Sequence, residues 1–122
     1  MEIRYFFDTY AIIELIEGNP EYAKYLEEPA TITIFNLAEI YWICINKLGE
    51  SEAEKIYKEY REAVDEISDE ILKEAIKFRK KQKRRDLSYT DCIGYVYALK
   101  NNLRFLTGDK QFENMENVEF VK

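Results

Sequence analysis

Four acidic residues stand where a carboxylate could do chemistry. Asp8 interrupts the apolar and aromatic stretch YFFDTYAII, and Glu39 lies in FNLAEIYWICI with no cation three or four positions away. Asp91 ends SYTD just before the apolar CIGYVYAL, and Asp109 lies in LTGDKQF. An ionised carboxylate in apolar surroundings is costly unless it is hydrogen-bonded, paired or bound to a metal. Each acid therefore needs a partner.

Each acid also has a structural explanation. Asp8 and Asp109 follow predicted strands, where aspartate often caps a helix or begins a turn. Asp91 lies three residues after Ser88, which matches the capping-box pattern. Glu39 could accept a hydrogen bond from a backbone donor or pair with a distant arginine. Taken singly, the four acids leave both readings open.

If the four acids converge, they favour a hard metal ion. Two unit negative charges ~4 Å apart repel by about 4 kcal/mol at an effective dielectric of 20, and a dication removes that repulsion. The chain has no histidine, and its two cysteines lie in apolar segments without CxxC spacing, so zinc, disulfide and histidine-based mechanisms are disfavoured. Carboxylates alone favour Mg²⁺ or Mn²⁺.

Strands that alternate with helices would position these acids. We predict five strands, and parallel strands place the acids that follow them at one edge of a sheet. The segment 63–67 could instead prolong the preceding helix, and we predict the strand. The predicted strands are residues 2–7, 30–33, 63–67, 104–107 and 118–121, and the predicted helices are residues 9–17, 20–28, 34–48, 51–61, 68 onward and 88–102, with a turn and short helix over GDKQFENM.

Composition predicts one packed α/β domain over residues 1–122. Of these residues 47% are hydrophobic and 15% aromatic, which is typical of a globular core. No apolar run approaches the ~20 residues of a membrane span, and the start of the chain is unlike a signal peptide, so we expect a cytoplasmic protein without a membrane partner.

Charge is unevenly distributed. The stretch KFRKKQKRR, residues 77–85, holds seven cations and no acid, so the rest of a chain at −6 carries −13. We call residues 77–85 the basic strip. It is either a solvated helix end or a surface for a polyanion. Its candidate RNA-binding residues are Lys80, Lys81, Lys83, Arg84 and Arg85.

Together these motifs resemble the PIN domain, and most closely the short VapC-type toxins. The resemblance rests on Asp8-Thr9 after the first strand, Asn36-Leu37-Ala38-Glu39 in a helix, Leu87 to Asp91 opening a later helix, and Thr107 to Phe112 near the end. It implies a three-layer α/β/α sandwich with a parallel sheet of about five strands in the order 3-2-1-4-5. The first and fourth strands are then neighbours.

The resemblance also implies a site and an activity. Asp8, Glu39, Asp91 and Asp109 would be the catalytic, metal-binding acids, supported by Thr107, Thr9 and Asn36. The implied activity is a Mg²⁺- or Mn²⁺-dependent endoribonuclease that hydrolyses RNA phosphodiester bonds, as the toxin of a toxin–antitoxin pair. Tyr10 replaces a small residue and Gln111 an acid found in many relatives, and the second departure puts a firmly bound second metal in doubt.

The same resemblance leaves alternative functions open and implies partners. An RNA-processing PIN nuclease without an antitoxin, or a catalytically silent PIN-like module that binds RNA or a partner, would share these motifs. A receiver-like phosphotransfer protein would want an adjacent acid pair, which Asp8 lacks. We expect an antitoxin partner and a homodimer, in which Ile13, Ile16, Tyr57 and Tyr60 would supply apolar surface.

Overall fold

A parallel sheet forms the centre of the computed structural model, which describes residues 2–83 and 85–122. Strands β1 (Tyr5–Phe7), β2 (Arg104–Thr107) and β3 (Val118–Phe120) lie in the order β1-β2-β3. Tyr5 pairs with Arg104 and Phe105 with Val118, both in parallel register. The first and fourth predicted strands are therefore neighbours, as expected.

Beyond β1 the sheet continues through single contacts. The Phe7 N–H donates to the Thr31 carbonyl oxygen at 2.9 Å, and Ile32 forms a parallel bridge with Val64. The predicted order 3-2-1-4-5 is thus confirmed. The predicted strands 30–33 and 63–67 were too long, since each is reduced to one residue of a single bridge, and Thr33 already caps the next helix.

Seven helical segments connect these strands in the described chain. The α-helices are α1 (Thr9–Ile16), α2 (Ile34–Leu48), α3 (Glu50–Arg61), α4 (Asp69–Lys81) and α5 (Tyr89–Lys100), and the 3₁₀ helices are Pro20–Tyr25 and Lys110–Phe112. None of the helices in residues 2–83 and 85–122 is long and apolar enough to cross a membrane.

Local sequence explains where these helices begin and end. The Ser68 hydroxyl accepts the Ile71 N–H at 3.1 Å and starts α4. Gly49 separates α2 from α3 at φ 89°, which a residue with a Cβ rarely adopts. Asn102 has φ 57°, so α5 ends earlier than the predicted residue 102. The 3₁₀ helix at Pro20–Tyr25 replaces the longer helix predicted over residues 20–28.

Alternating strand residues build one core on each face of the sheet. Phe6 and Phe105 point to one face and pack with α5, and their rings stack at 5.7 Å between centroids. Phe7 and Leu106 point to the other face and pack with α1 and α2. The alternation follows from the period of two along a strand, and it gives the predicted three layers.

Gly94 lets α5 approach the sheet closely. A Cβ at this buried position would lie 2.7 Å from Phe6 Cε1 and 3.4 Å from Phe105 Cε1. Both rings are fully buried in a packed core, so neither can move aside freely.

We expect Gly94→Ala to lower the free energy of unfolding by about 1 to 3 kcal/mol through overpacking. Denaturant unfolding measures this change. In the double variant with Phe6→Leu, the cost of the added methyl group should shrink, because the ring that it meets is gone. Strictly additive losses would contradict the close contact.

Candidate metal-dependent active site

The carboxyl ends of β1 and β2 place two acids at the same edge of the sheet. Asp8 follows β1 directly, and its N–H donates to the Leu106 carbonyl oxygen at 3.0 Å. Asp109 lies two residues after β2. The Asp8 side chain is 3% exposed and makes no capping hydrogen bond to α1. Asp8 therefore occupies the N-cap position of α1, but its carboxylate does not cap the helix.

Thr107 connects these two acids. Its hydroxyl accepts the Asp109 N–H at 3.0 Å and donates to Asp8 Oδ2 at 2.7 Å. A hydroxyl has a single proton, so the bond to Asp8 fixes its direction. Thr107 is completely buried, which leaves it no water as an alternative partner. It thus couples the position of the Asp109 backbone to the Asp8 carboxylate.

A second threonine holds Glu39 in the same way. Asn36 Nδ2 donates to Thr9 Oγ1 at 3.0 Å, and Thr9 Oγ1 donates to Glu39 Oε1 at 2.6 Å. Asn36 Oδ1 accepts the Thr33 N–H at 3.0 Å, which settles the orientation of the amide. The partner of Glu39 is thus a hydroxyl on a neighbouring helix, not the backbone donor or distant arginine that the sequence suggested.

Asp91 and Asp109 do serve the local structure. Asp91 Oδ2 accepts the Ser88 N–H at 2.9 Å, and the Ser88 hydroxyl accepts the Asp91 N–H at 3.0 Å, which completes the capping box. Asp109 Oδ1 accepts the Gln111 N–H at 3.0 Å at the start of the second 3₁₀ helix. Both structural explanations are correct for these two residues.

These structural roles leave carboxylate oxygens free. The hydrogen bonds above occupy one oxygen in each acid: Asp8 Oδ2, Glu39 Oε1, Asp91 Oδ2 and Asp109 Oδ1. Among the residues that the structure describes, the second oxygen of each accepts no hydrogen bond of normal geometry, although the Thr9 N–H lies near enough to the Asp8 carboxyl to lower its pKa slightly. Each acid is held by one oxygen and can offer the other to a ligand.

The electrostatics show that the four acids lie near one another. Burial, followed by the negative charge of Asp91, raises the pKa of Asp8 to about 8, and Asp109 adds to the shift. Burial also raises the pKa of Asp91, with smaller contributions from the charges of Asp109 and Glu39. Four acids from four segments of the chain thus form one region of negative potential.

The donor set fits a hard dication. It offers carboxylate oxygens and no histidine, and Cys44 and Cys92 are buried in the two cores. Within residues 2–83 and 85–122, no three such side chains are already arranged to hold an ion. A dication would therefore have to bring the free oxygens closer together. The metal roles of the four acids and of Thr107, Thr9 and Asn36 stay predictions.

Tyr10 fits beside this site because residue 108 is a glycine. A Cβ at Gly108 would lie 2.4 Å from Tyr10 Cε1 and 2.3 Å from the Val121 carbonyl oxygen. The ring therefore packs directly on the backbone that carries Asp109. The unusual tyrosine and Gly108 are explained by the same contact.

The basic strip reaches the same edge of the molecule. Lys80, Lys81, Lys83 and Arg85 are exposed, whereas Arg84 lies outside the described residues. Arg85 Nη1 donates to the Gln111 carbonyl oxygen at 2.8 Å. The Asp86 N–H donates to Gln111 Oε1 at 3.2 Å. Gln111, in place of the acid expected there, joins the strip to the segment that carries Asp109.

Sequence reasoning missed two further residues at this edge. The guanidinium carbon of Arg79 lies 4.3 Å from the centre of the Tyr89 ring, and Tyr89 is 58% exposed. Arg79 belongs to the basic strip, and Tyr89 is the first residue of α5, two positions before Asp91. The signal available in the sequence was an aromatic residue within the capping box SYTD.

Comparison with known proteins supports this assignment of the fold. A family model for the PIN domain matches residues 5–118. The chain belongs to the PIN domain family. No curated protein sequence matches this PIN domain significantly.

Solved structures share the fold at low sequence identity. A toxin–antitoxin complex from Klebsiella pneumoniae has a TM-score of 0.73 at 21% identity, covering 94% of this PIN domain and 95% of that chain. VapC20 from Mycobacterium tuberculosis, described as a sarcin–ricin loop cleaving toxin, has a TM-score of 0.77 at 16% sequence identity, and the match covers 96% of both chains. VapBC2 from Rickettsia felis, bound to a promoter DNA fragment, has a TM-score of 0.72 at 16% sequence identity, and the match covers 98% of both chains.

The raised pKa of Asp8 predicts how stability depends on pH when no metal is present. Between pH ~4 and ~8 the folded state keeps a proton that the unfolded chain has released, so the free energy of unfolding falls as pH rises. Asp8→Asn removes this penalty. In EDTA at pH 7.5 we expect its Tm to exceed that of the wild type by about 3 to 10 °C.

Thermal unfolding from pH 4.5 to 8.5 measures this difference, which should shrink toward the acid end. Glu113→Gln is the matched control, because Glu113 is exposed on the segment that follows Asp109. If the Tm of Asp8→Asn and that of the wild type change with pH in parallel, the pKa of Asp8 is not raised by folding.

Proposed function

We propose that this PIN domain is a Mg²⁺- or Mn²⁺-dependent endoribonuclease that hydrolyses RNA phosphodiester bonds. The observation that carries the proposal is the convergence of Asp8, Glu39, Asp91 and Asp109, each with one fixed and one free carboxylate oxygen. Family membership and the described RNA-cleaving neighbour support it.

The chain's own residues would hold and orient the reacting groups. Asp8, Asp91 and Asp109 would hold the ion, with Glu39 holding it directly or through water. When bound, a dication supplies a more acidic water and neutralises charge that develops on the phosphoryl group. Thr107 and Thr9 keep two of the carboxylates from rotating, which limits the reorganisation that binding requires.

The decisive experiment compares Asp8→Asn with the wild type on labelled single-stranded and hairpin RNA. The wild type should cleave in Mg²⁺ or Mn²⁺ and stop in EDTA. Asp8→Asn should lower the rate by about 100-fold or more, because it removes a charged ligand. It should still fold, since Asn can accept the Thr107 hydroxyl bond.

Two controls make this result interpretable. Glu113→Gln, an exposed acid outside the cluster, should cleave at the wild-type rate. Asp8→Asn protein purified by the same protocol also measures the cleavage that contaminating nucleases contribute. Equal cleavage by Asp8→Asn and the wild type, with contamination excluded, would refute the site.

The basic strip would hold the RNA backbone. In the described part of the chain, Lys80, Lys81, Lys83 and Arg85 form no ion pair with an acid, so their charges are available. The rest of the chain carries a net charge of −13, which on average repels a polyanion. Phosphate contacts position RNA without reading its sequence.

Alanine at Lys80, Lys81 or Lys83 should weaken the binding of unrelated RNAs about equally. Each lost phosphate contact should lower the log–log salt slope by roughly 0.7 to 1. Titrations at several salt concentrations measure the slope, and Lys73→Ala, an exposed cation two turns earlier in α4, is the control.

The combined replacement of Lys80, Lys81, Lys83, Arg84 and Arg85 tests the whole strip. Arg85 also holds Gln111, so its own loss should disturb the Asp109 segment as well. An unchanged affinity and salt slope in the five-fold variant would mean that RNA enters from another side.

We further propose that the nuclease is the toxin of a toxin–antitoxin pair and forms a homodimer. The toxin–antitoxin complexes among its structural neighbours support an antitoxin partner. Ile13 and Ile16 line an apolar groove with Ile43 and Leu48, between α1 and α2. Tyr57 and Tyr60 are half-buried against the core, so they offer less free surface than the sequence suggested.

A further inference from the structure

Tyr89 has no evident structural task. Its side chain is 58% exposed and belongs to neither core. Within residues 2–83 and 85–122 its hydroxyl makes no hydrogen bond. The capping box beside it is completed by Ser88 and Asp91, without Tyr89. A large aromatic ring thus stands in solvent at the start of α5.

Arg79 holds this ring in a defined arrangement. Its guanidinium carbon lies 4.3 Å from the ring centre, within the range of a cation–π contact. Arg79 Nε also donates to the Leu87 carbonyl oxygen at 2.9 Å, which anchors the guanidinium. The arginine covers one face of the ring, and the high exposure of Tyr89 leaves the other face accessible.

The pair lies between two regions of opposite charge. Asp91 of the acidic cluster is two residues after Tyr89 on the first turn of α5. Arg79 is part of the basic strip, next to Lys80 and Lys81. The Tyr89–Arg79 contact thus joins the first turn of α5, which carries Asp91, to the basic strip.

We propose that the Tyr89–Arg79 pair is a stacking platform for an unpaired nucleobase of the RNA substrate. This inference rests on the proposed ribonuclease function and adds two residues that would hold an unpaired base of a single strand or loop. A base stacks on the open face of Tyr89, with Arg79 behind it. Every base has a π-face, so the platform selects unpaired RNA without selecting a base.

Binding in EDTA, where the proposed nuclease cannot cleave, tests the platform by fluorescence anisotropy on a labelled single-stranded RNA. Tyr89→Leu should weaken binding by about 5- to 100-fold, whereas Tyr89→Phe should bind like the wild type. An oligonucleotide with the same backbone but abasic sites should bind wild type and Tyr89→Leu equally. Arg79→Lys keeps the charge and loses the flat guanidinium. It should weaken the binding of the base-containing RNA more than that of the abasic RNA.

Leu99→Ala, at an exposed position near the other end of α5, is the control and should bind like the wild type. Tyr89→Gln provides a second aromatic-free variant with a polar side chain and should show the same loss as Tyr89→Leu. If the wild type cleaves RNA in Mg²⁺ and Tyr89→Leu binds RNA as tightly as the wild type, the platform is refuted while the proposed ribonuclease function is retained. Equal losses on base-containing and abasic RNA, or a loss of self-association in place of RNA binding, would also overturn it. A wild type that neither binds nor cleaves RNA would refute the proposed function itself.

Discussion

The buried carboxylate of Asp8 is the constraint on which the rest of the site depends. It ends β1 beneath the helices, where water cannot solvate its charge, and Asp91 and Asp109 add negative potential. A group in that position raises its pKa and keeps a proton, or it acquires a cation. The protein supplies one hydroxyl donor from Thr107 and no positive side chain among the described residues that contact Asp8. The fold therefore holds uncompensated negative charge at Asp8, which a dication would neutralise.

The two threonines show how the fold tolerates this charge without losing order. Each hydroxyl accepts a fixed N–H and donates to a carboxylate, one from the Asp109 backbone to Asp8 and one from Asn36 to Glu39. A hydroxyl that donates to a carboxylate favours its ionised form, so the Thr107 bond offsets part of the rise that burial causes in the pKa of Asp8. The stacking of Phe6 on Phe105 ties β1 to β2, the strand that Asp8 follows and the strand that ends at Thr107.

Opposite charges are separated along one edge of the molecule. The acids collect where strands end and α5 begins, and the cations collect where α4 ends, as the helix dipole favours. Arg85 and Gln111 tie the two regions together through the segment that follows Asp109. A surface of this kind can admit a polyanion close to a negative pocket, because the strip offsets the repulsion locally.

The sequence by itself determined the type and order of the elements and the identity of the four acids. Short apolar runs mark the strands, and capping residues such as Ser68 and Ser88 mark helix starts, through local physics that needs no distant contacts. It could not set the length of the strands at Ile32 and Val64, which depends on pairing across the sheet. It left capping and chemistry undecided for Asp8, Asp91 and Asp109, because a carboxylate has two oxygens and the sequence does not show which are used. Only the tertiary structure decided that the Asp8 carboxylate does not cap α1, that Thr9 supports Glu39 and that Arg79 lies on Tyr89. Each of these contacts joins separate segments of the chain, and their geometry is fixed only when the layers pack.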